Sequence, residues 1–301
     1  MREKKGIALL VTLFFIMLIT VSIGVGFTYI HEASKSVKQE QILLQDSMIV
    51  NDVVQILKNS PQLQDINSSE DFSLFLSQTS VIPLKSHGFD IVIHLKSARS
   101  EINPNMLKDA NGTKKRMDSF KIFLQNNMIN IQYADMMADM LNGEKANNGY
   151  LTDIFEEHPQ LYRNGIVSYE QLDELGDIYK QKFHTNDIDK IDMQELFYIS
   201  QDTNYKVDAN FASALTWQLL LGCSQERANQ LVSGGSAYAT MEDLNAQLND
   251  DEKKLVKAFN VSVNEEILYV TIEVSNKNKQ SFIGFEYNIK TKMESNFVLK
   301  I

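Results

Sequence analysis

The strongest constraint on this chain is an uncharged run near its start, Ile7 to Ile30, reading IALLVTLFFIMLITVSIGVGFTYI. A helix rises about 1.5 Å per residue and about 20 apolar residues cross the hydrocarbon core of a bilayer, so the run is long enough to span one. Arg2, Lys4 and Lys5 precede it. By the positive-inside rule they hold the short N-terminus in the cytoplasm and send the rest of the chain outward. The apolar pattern continues past the run. Ile42, Leu43, Met48, Ile49, Val53, Ile56 and Leu57 recur at helical spacing, with Lys38, Glu40, Asp46 and Lys58 on the polar positions. Pro61 is placed to end the helix. The expectation is one long helix, half in lipid and half amphipathic.

Three fates are open to such a segment. A secretory signal ends in a small-residue cleavage site after the apolar run, and Ala33 and Ser34 offer only a poor version of that site. A plain signal anchor is left uncut. The third fate is set ahead of the run, where Lys4-Lys5-Gly6 is followed at once by Ile7-Ala8-Leu9-Leu10. This resembles a type III (prepilin) signal, cut on the cytoplasmic side after Gly6 so that the helix stays on the mature protein. The resemblance implies a leader over residues 1–6, a transmembrane helix over 7–30, and Ile7 as a new, N-methylated terminus left by prepilin peptidase. Most pilins and pseudopilins carry a glutamate at the fifth mature position, which here is Val11. A carboxylate in lipid is costly unless paired, and in pilins its partner is a neighbouring subunit's terminal amine. A subunit with nothing ahead of it needs no such group, so the missing glutamate points to a filament tip.

Composition narrows the partners. The formal net charge is −10, and the basic residues at the N-terminus make the remainder more acidic still, which argues against nucleic acid. Cys223 is the only cysteine, so no intramolecular disulfide can form. With an apolar fraction of 44% and only four prolines, most of the chain is expected to fold without a long stalk.

Beyond the first helix the period changes. Phe89 to Leu95 alternates in period two and reads as a strand, after the spine helix of a segment spanning 31–102. Ile267–Val274, Ser281–Ile289 and Ser295–Ile301 read as three more strands within 257–301, with Ser275 to Asn278 as a turn. The intervening 103–256 is mostly helical in pattern, with candidate helices at Met117–Asn127, Asn130–Leu141, Ser168–Lys182, Met193–Ser200 and Ala209–Leu221. A sheet split by a helical segment reads as α+β: a long N-terminal helix on a small antiparallel sheet, with a large inserted α-domain.

Several phrases then resemble the K-type minor pseudopilins of type II secretion systems (general secretion pathway protein K) along nearly the whole chain. Gly6–Leu10 matches that family's prepilin site, and the family likewise lacks the membrane glutamate. Glu101-Ile102-Asn103-Pro104-Asn105 resembles its asparagine motif at the entry to the α-domain, and Tyr169 to Leu175 its SLDEL segment. Val207 to Ser213, followed by Leu220-Leu221-Gly222-Cys223-Ser224-Gln225-Glu226-Arg227-Ala228, resembles its helix start and a helix-hairpin-helix turn, and Met241 to Leu244 completes the pattern. In that turn Asp208 or Asn210 is expected to cap a helix burying Ala214, Leu215, Leu219 and Leu220, and Gly222 to supply the hairpin's backbone freedom. The resemblance implies a non-enzymatic tip subunit in the bacterial inner membrane with its bulk in the periplasm. Its partners would be I- and J-type pseudopilins, the major pseudopilin, the inner-membrane assembly platform and prepilin peptidase.

Rival readings are a minor pilin of a type IV pilus or competence pseudopilus, and a membrane-tethered DNA receptor. Against DNA, the turn Gly222-Cys223-Ser224 has serine where DNA-binding hairpins carry a second glycine, and Glu226 sits beside Arg227. The family also carries calcium in its α-domain. A hard cation wants six to eight oxygens, several of them carboxylate. The acids here are Asp139 and Glu144, near Asp135, Asn142 and Asn147, and separately Asp187 and Asp189, near Asp192. Few are contiguous, and the plain alternative is solvated helix ends. No histidine spacing suggests a metal or a catalytic triad, and HExxH, GxSxG and P-loop phrases are missing. Cys223 and Trp217 read as core residues.

Overall fold

The computed structural model describes residues 37, 40, 43–86, 89–108, 115–143, 149–232, 238–276 and 279–300. The span over 7–30, Gly6 and Ile7 at the expected cut, and Glu144 and Asn147 of the expected cation set lie outside the described residues. Among the described residues no helix is long and apolar enough to cross a membrane. The chain divides into two compact units, Met1–Leu57 and Lys58–Ile301. In the first, the described residues from 43 onward are helical, and this helix, α1, runs over 43–59.

The break after α1 is sharper than a proline alone explains. Ser60 leaves the helix in an extended conformation, and its hydroxyl accepts from the Leu63 amide, which starts a new short helix, α2 (Pro61–Gln64), with the proline in its first turn. There the proline's missing N–H costs nothing. Ser68 caps α3 (Ser69–Thr79) in the same way, with Asp71 returning the bond to close the cap. Neither helix is legible from apolar periodicity, because both are short and polar.

The sheet has five strands, all antiparallel, in the order β1 (Val81–Ser86), β2 (Phe89–Ser97), β5 (Ile267–Asn276), β6 (Lys279–Asn288) and β7 (Met293–Lys300). Its buried face is read directly from the alternation. Ile93 of β2 pairs with Ile272 of β5, which pairs with Ile283 of β6, and Leu95, Val270 and Phe285 make the next row. Strand β1 is an addition to the expected set. It carries Pro83, which sheets tolerate at an edge, and β1 is an edge.

Among the described residues between β2 and β5 the chain is helical or irregular, apart from a two-residue parallel pair, β3 (Val207–Asp208) with β4 (Val261–Ser262), and an isolated bridge of Ile102 with Phe197. The helices are α4 (Lys115–Asn126), α5 (Gln132–Asn142), α6 (Ile154–Glu157), α7 (Tyr169–Phe183), α8 (Met193–Leu196), α9 (Ala214–Leu221), α10 (Gln225–Leu231), α11 (Met241–Ala246) and α12 (Asp250–Ala258), with 3-10 turns at Pro104–Leu107 and Asp187–Lys190. They enclose one hydrophobic core, in which Phe120, Phe123, Tyr133, Tyr179, Phe197, Trp217 and Phe259 are fully buried. Because β2 and β5 are adjacent strands, this helical segment is inserted between neighbours in the sheet.

Two expectations are corrected. The helix expected over Met193–Ser200 stops at Leu196, because Phe197 pairs in parallel with Ile102 and Tyr198 donates its amide to the Ile102 carbonyl. The helix expected from Ala209 begins only at Ala214. Ser213 is its cap, accepting from the Thr216 amide at 3.1 Å, rather than Asp208 or Asn210.

Candidate functional site

The turn singled out in the sequence is built from α9, Gly222-Cys223-Ser224 and α10. Gly222 ends α9 at φ +58°, in the left-handed region, and a Cβ there would lie 3.1 Å from Ile122 on α4. Ser224 caps α10 by accepting from the Arg227 amide. A carbonyl at the end of α9, which a helix end leaves without a partner, is taken by α4, where Ser119 donates to Leu219 at 2.6 Å; in the turn beyond, Asn126 of α4 donates to Cys223 at 3.2 Å. Cys223 is half-buried with its thiol 3.7 Å from the Trp217 carbonyl, and burial pushes the thiol up, away from the thiolate.

Helix α9 is enclosed on nearly all sides. Thr216, Trp217, Gln218, Leu219, Leu220 and Leu221 are buried against α4, α10 and α12, while Ala214 and Leu215, expected in the core, are only partly covered. Arg227, read from the sequence only as a neighbour of Glu226, forms a two-pronged ion pair with Glu252 at 2.9 and 2.8 Å. Glu252 also closes the capping box of α12 by accepting from the Asn249 amide. The arginine a phosphate would need is thus committed inside the protein. At the start of α10 stands the Glu226 carboxylate, held ionised below its usual range by the Ser224 hydroxyl. This arrangement packs α9 and α10 against each other and against α4 and α12.

Asp208 and Asn210 serve as ties instead of caps. Asn210 is buried. Its two amide hydrogens are shared among the Ser69 hydroxyl and the Tyr238 and Val263 carbonyls, and its oxygen accepts from the Tyr238 amide. Asp208, fully buried, accepts from the amides of Asn210 at 2.9 Å and Glu265 at 2.7 Å. Burial, opposed by those two bonds and reinforced by Glu265 and Glu266, raises its pKa to about 6.

The asparagine motif at the entry to the helical segment has a comparable logic. Asn103 donates to the Ser200 carbonyl at 2.6 Å and caps the Pro104–Leu107 turn. Asn105 makes a paired amide bond with Ile166, donating to its carbonyl and accepting its N–H, both at 2.8 Å.

A joint that sequence reasoning missed lies beside it. Arg99, 2% exposed, donates to the Ala98 carbonyl, reaches Glu286 on β6 at 2.9 Å and stacks 4.5 Å from the Tyr205 ring. Burial opposes its charge, and the bond and charge of Glu286 outweigh that cost. Ser200 and Asn296 donate to the other Glu286 oxygen. These partners come from opposite ends of the chain, so no local pattern could have signalled the pair.

The expected calcium residues among the described ones have separate duties. Asp139 is buried and accepts from the amides of Leu151 and Thr152 and from the Thr152 hydroxyl, pinning the end of a loop. Asp187 accepts from the Tyr179 hydroxyl and the Asn130 amide, and Asp189 pairs with Lys180 at 3.3 Å. Among the described residues no group of three His, Cys, Asp or Glu side chains is placed to hold a metal.

The chain thus has a mixed fold in which a small antiparallel sheet is interrupted by a long helical segment between two neighbouring strands. A chain in the crystal structure of the GspK-GspI-GspJ complex from the enterotoxigenic Escherichia coli type 2 secretion system has this fold. The match has a TM-score of 0.62 at 11% identity and covers 89% of this chain and 99% of that one. No family model and no curated protein sequence matches the chain.

Proposed function

We propose that this protein is a K-type minor pseudopilin, a non-enzymatic subunit that caps a type II secretion pseudopilus and starts its assembly with I- and J-type partners. The observation that carries this is the fold shared over nearly the whole chain with a member of a complex of such subunits. Two features of this sequence support it. The uncharged run from Ile7 to Ile30 behind Lys4-Lys5-Gly6 supplies a lipid-embedded helix that survives prepilin cleavage, and Val11 stands where stacking pilins place a glutamate.

On this reading the protein is a single-pass protein of the inner membrane with its bulk in the periplasm. Helix α1 continues the membrane helix as a pilin spine, and its exposed Leu44 and Met48, 66% and 68% accessible, meet partner helices. The α9–α10 turn works as a packing element, so duplex DNA is no ligand.

Mass spectrometry of the membrane-extracted protein, co-expressed with prepilin peptidase, tests the proposal at its root. The expected N-terminus is a methylated Ile7, and co-purification with I- and J-type pseudopilins is expected to depend on Leu44 and Met48. A mature chain that keeps residues 1–6 or starts after Ala33 would overturn it.

A further inference from the structure

A cleft of about 500 Å³ opens between α7 and the segment formed by the Asp187–Lys190 turn and α8. Its walls carry four carboxylates, Asp173, Asp177, Asp189 and Asp192, against one ammonium, Lys180. Lys180 is already shared between Asp177 at 2.9 Å and Asp189 at 3.3 Å, so one of the four negative charges is answered from within and three are left. Asp192 spends one oxygen on the Gln194 amide as the cap of α8. Asp173 has no ion pair or hydrogen bond among the described residues.

Two further observations point to something entering from outside. Tyr133 lines the cleft and is completely buried, and its hydroxyl has no hydrogen-bond partner among the described residues. A buried polar group left unpaired is costly, so such groups in folded proteins call for an explanation. Burial first, and the charges of Asp173 and Tyr179 after it, hold that phenol protonated well above its ordinary range. The second observation is Gly176, which lines the same cleft from the middle of α7 (Tyr169–Phe183). A glycine in the middle of a helix is less favourable than alanine. Among the described residues, nothing beyond its own helix backbone and chain neighbours lies within 4 Å of where its Cβ would stand, so packing does not demand a glycine there.

We infer that this cleft receives an arginine side chain presented by a partner polypeptide. Leu172, Ile188, Ile191 and Met193 give the aliphatic stem an apolar wall, and Gly176 leaves room for it. The guanidinium fork then meets Asp173, the free oxygen of Asp192 and the Tyr133 hydroxyl. Five donors in one rigid plane suit acceptors spread around a cleft better than the point charge of lysine does. A divalent cation is the poorer fit, since two of the four acids are tied to Lys180 and no three are placed around one point. The site stands independently of the pseudopilus reading.

The test uses the full chain in detergent, titrated calorimetrically at low salt with the capped tripeptide Ala-Arg-Ala, its citrulline counterpart, and calcium chloride alone. Saturable binding of the arginine peptide and none of the citrulline peptide is expected. Tyr133→Phe should weaken it about 5- to 10-fold and Asp173→Asn about 10-fold or more. Gly176→Leu fills the cleft while improving helix propensity, and should abolish binding with Trp217 fluorescence unchanged. Because Tyr133→Phe removes an unpaired hydroxyl, a purely structural tyrosine would leave binding untouched. No saturable arginine binding, binding indifferent to these three substitutions, or calcium binding that depends on Asp173 and displaces the peptide would each overturn the inference.

Discussion

At the scale of single residues, a few buried charges decide how the helical segment is fastened to the sheet. Arg99 and Glu286 are both almost wholly buried, and each answers the other's charge. Removing one side of such a pair leaves the other uncompensated in a poorly polarisable interior. Glu286→Gln keeps the shape and is expected to cost about 3 kcal/mol in chemical denaturation, more than any exposed acid. Asp208 gives a pH signature of the opposite kind to the usual carboxylate. Its folded pKa of about 6 lies above the ordinary 3.8, so the folded state holds its proton more tightly than the unfolded one. That contribution is complete below about pH 4 and is lost as pH rises through 6, and its size is on the order of 2–3 kcal/mol. Stability measured across pH 4–7 should therefore fall less steeply with rising pH in Asp208→Asn than in the parent protein.

At the scale of elements, the helices start and stop where side chains satisfy their ends. Ser213, Ser224, Thr240 and Asn249 cap α9 to α12 in succession, so four short helices follow one another within a tight space. Ser213→Ala should lower the melting temperature by an amount equivalent to about 1 kcal/mol. Gly222→Ala is expected to cost more, about 1–2 kcal/mol from the left-handed backbone together with the close approach of Ile122. Both should leave the far-ultraviolet circular dichroism of the folded state unchanged. At Gly284, by contrast, the backbone is ordinary and the constraint is contact, since an added methyl would run into the Tyr269 hydroxyl across the sheet. Gly284→Ala should therefore destabilise through the β5–β6 pairing, read as faster amide exchange in those strands.

At the scale of the molecule, strands β2 and β5 enclose a segment longer than the sheet itself, and the ties between the two parts are polar and buried. Arg99 and Ser200 reach Glu286 of β6, whereas Asn103, Asn105 and Asn210 join parts of the chain outside the sheet that are far apart in sequence. Sheet and helical segment both belong to the unit Lys58–Ile301, so they should unfold together. Trp217, the only tryptophan, is fully buried in the helical core and reports that part alone. Its fluorescence transition should coincide with loss of the sheet's infrared band, and Arg99→Met should separate the two. The α-helical content, the four strands at 89–95 and 267–301, and the buried Trp217 were legible because their apolar periods are strong. Strand β1 was not, since an edge strand needs little alternation, nor were α2 and α3, whose signal lies in capping serines.

The sequence alone determined the uncharged N-terminal run, the net negative charge and the order of the strongly periodic strands and helices, because each follows from composition or from a period local to the chain. Only the tertiary structure decided that Asp208 and Asn210 tie loops together, that Arg227 is spent on Glu252, and that Arg99 answers Glu286. It also decided that Tyr133 and Gly176 share a cleft with Asp173. Those roles depend on which distant partners a side chain meets once water is excluded, and no local period of the chain encodes that meeting.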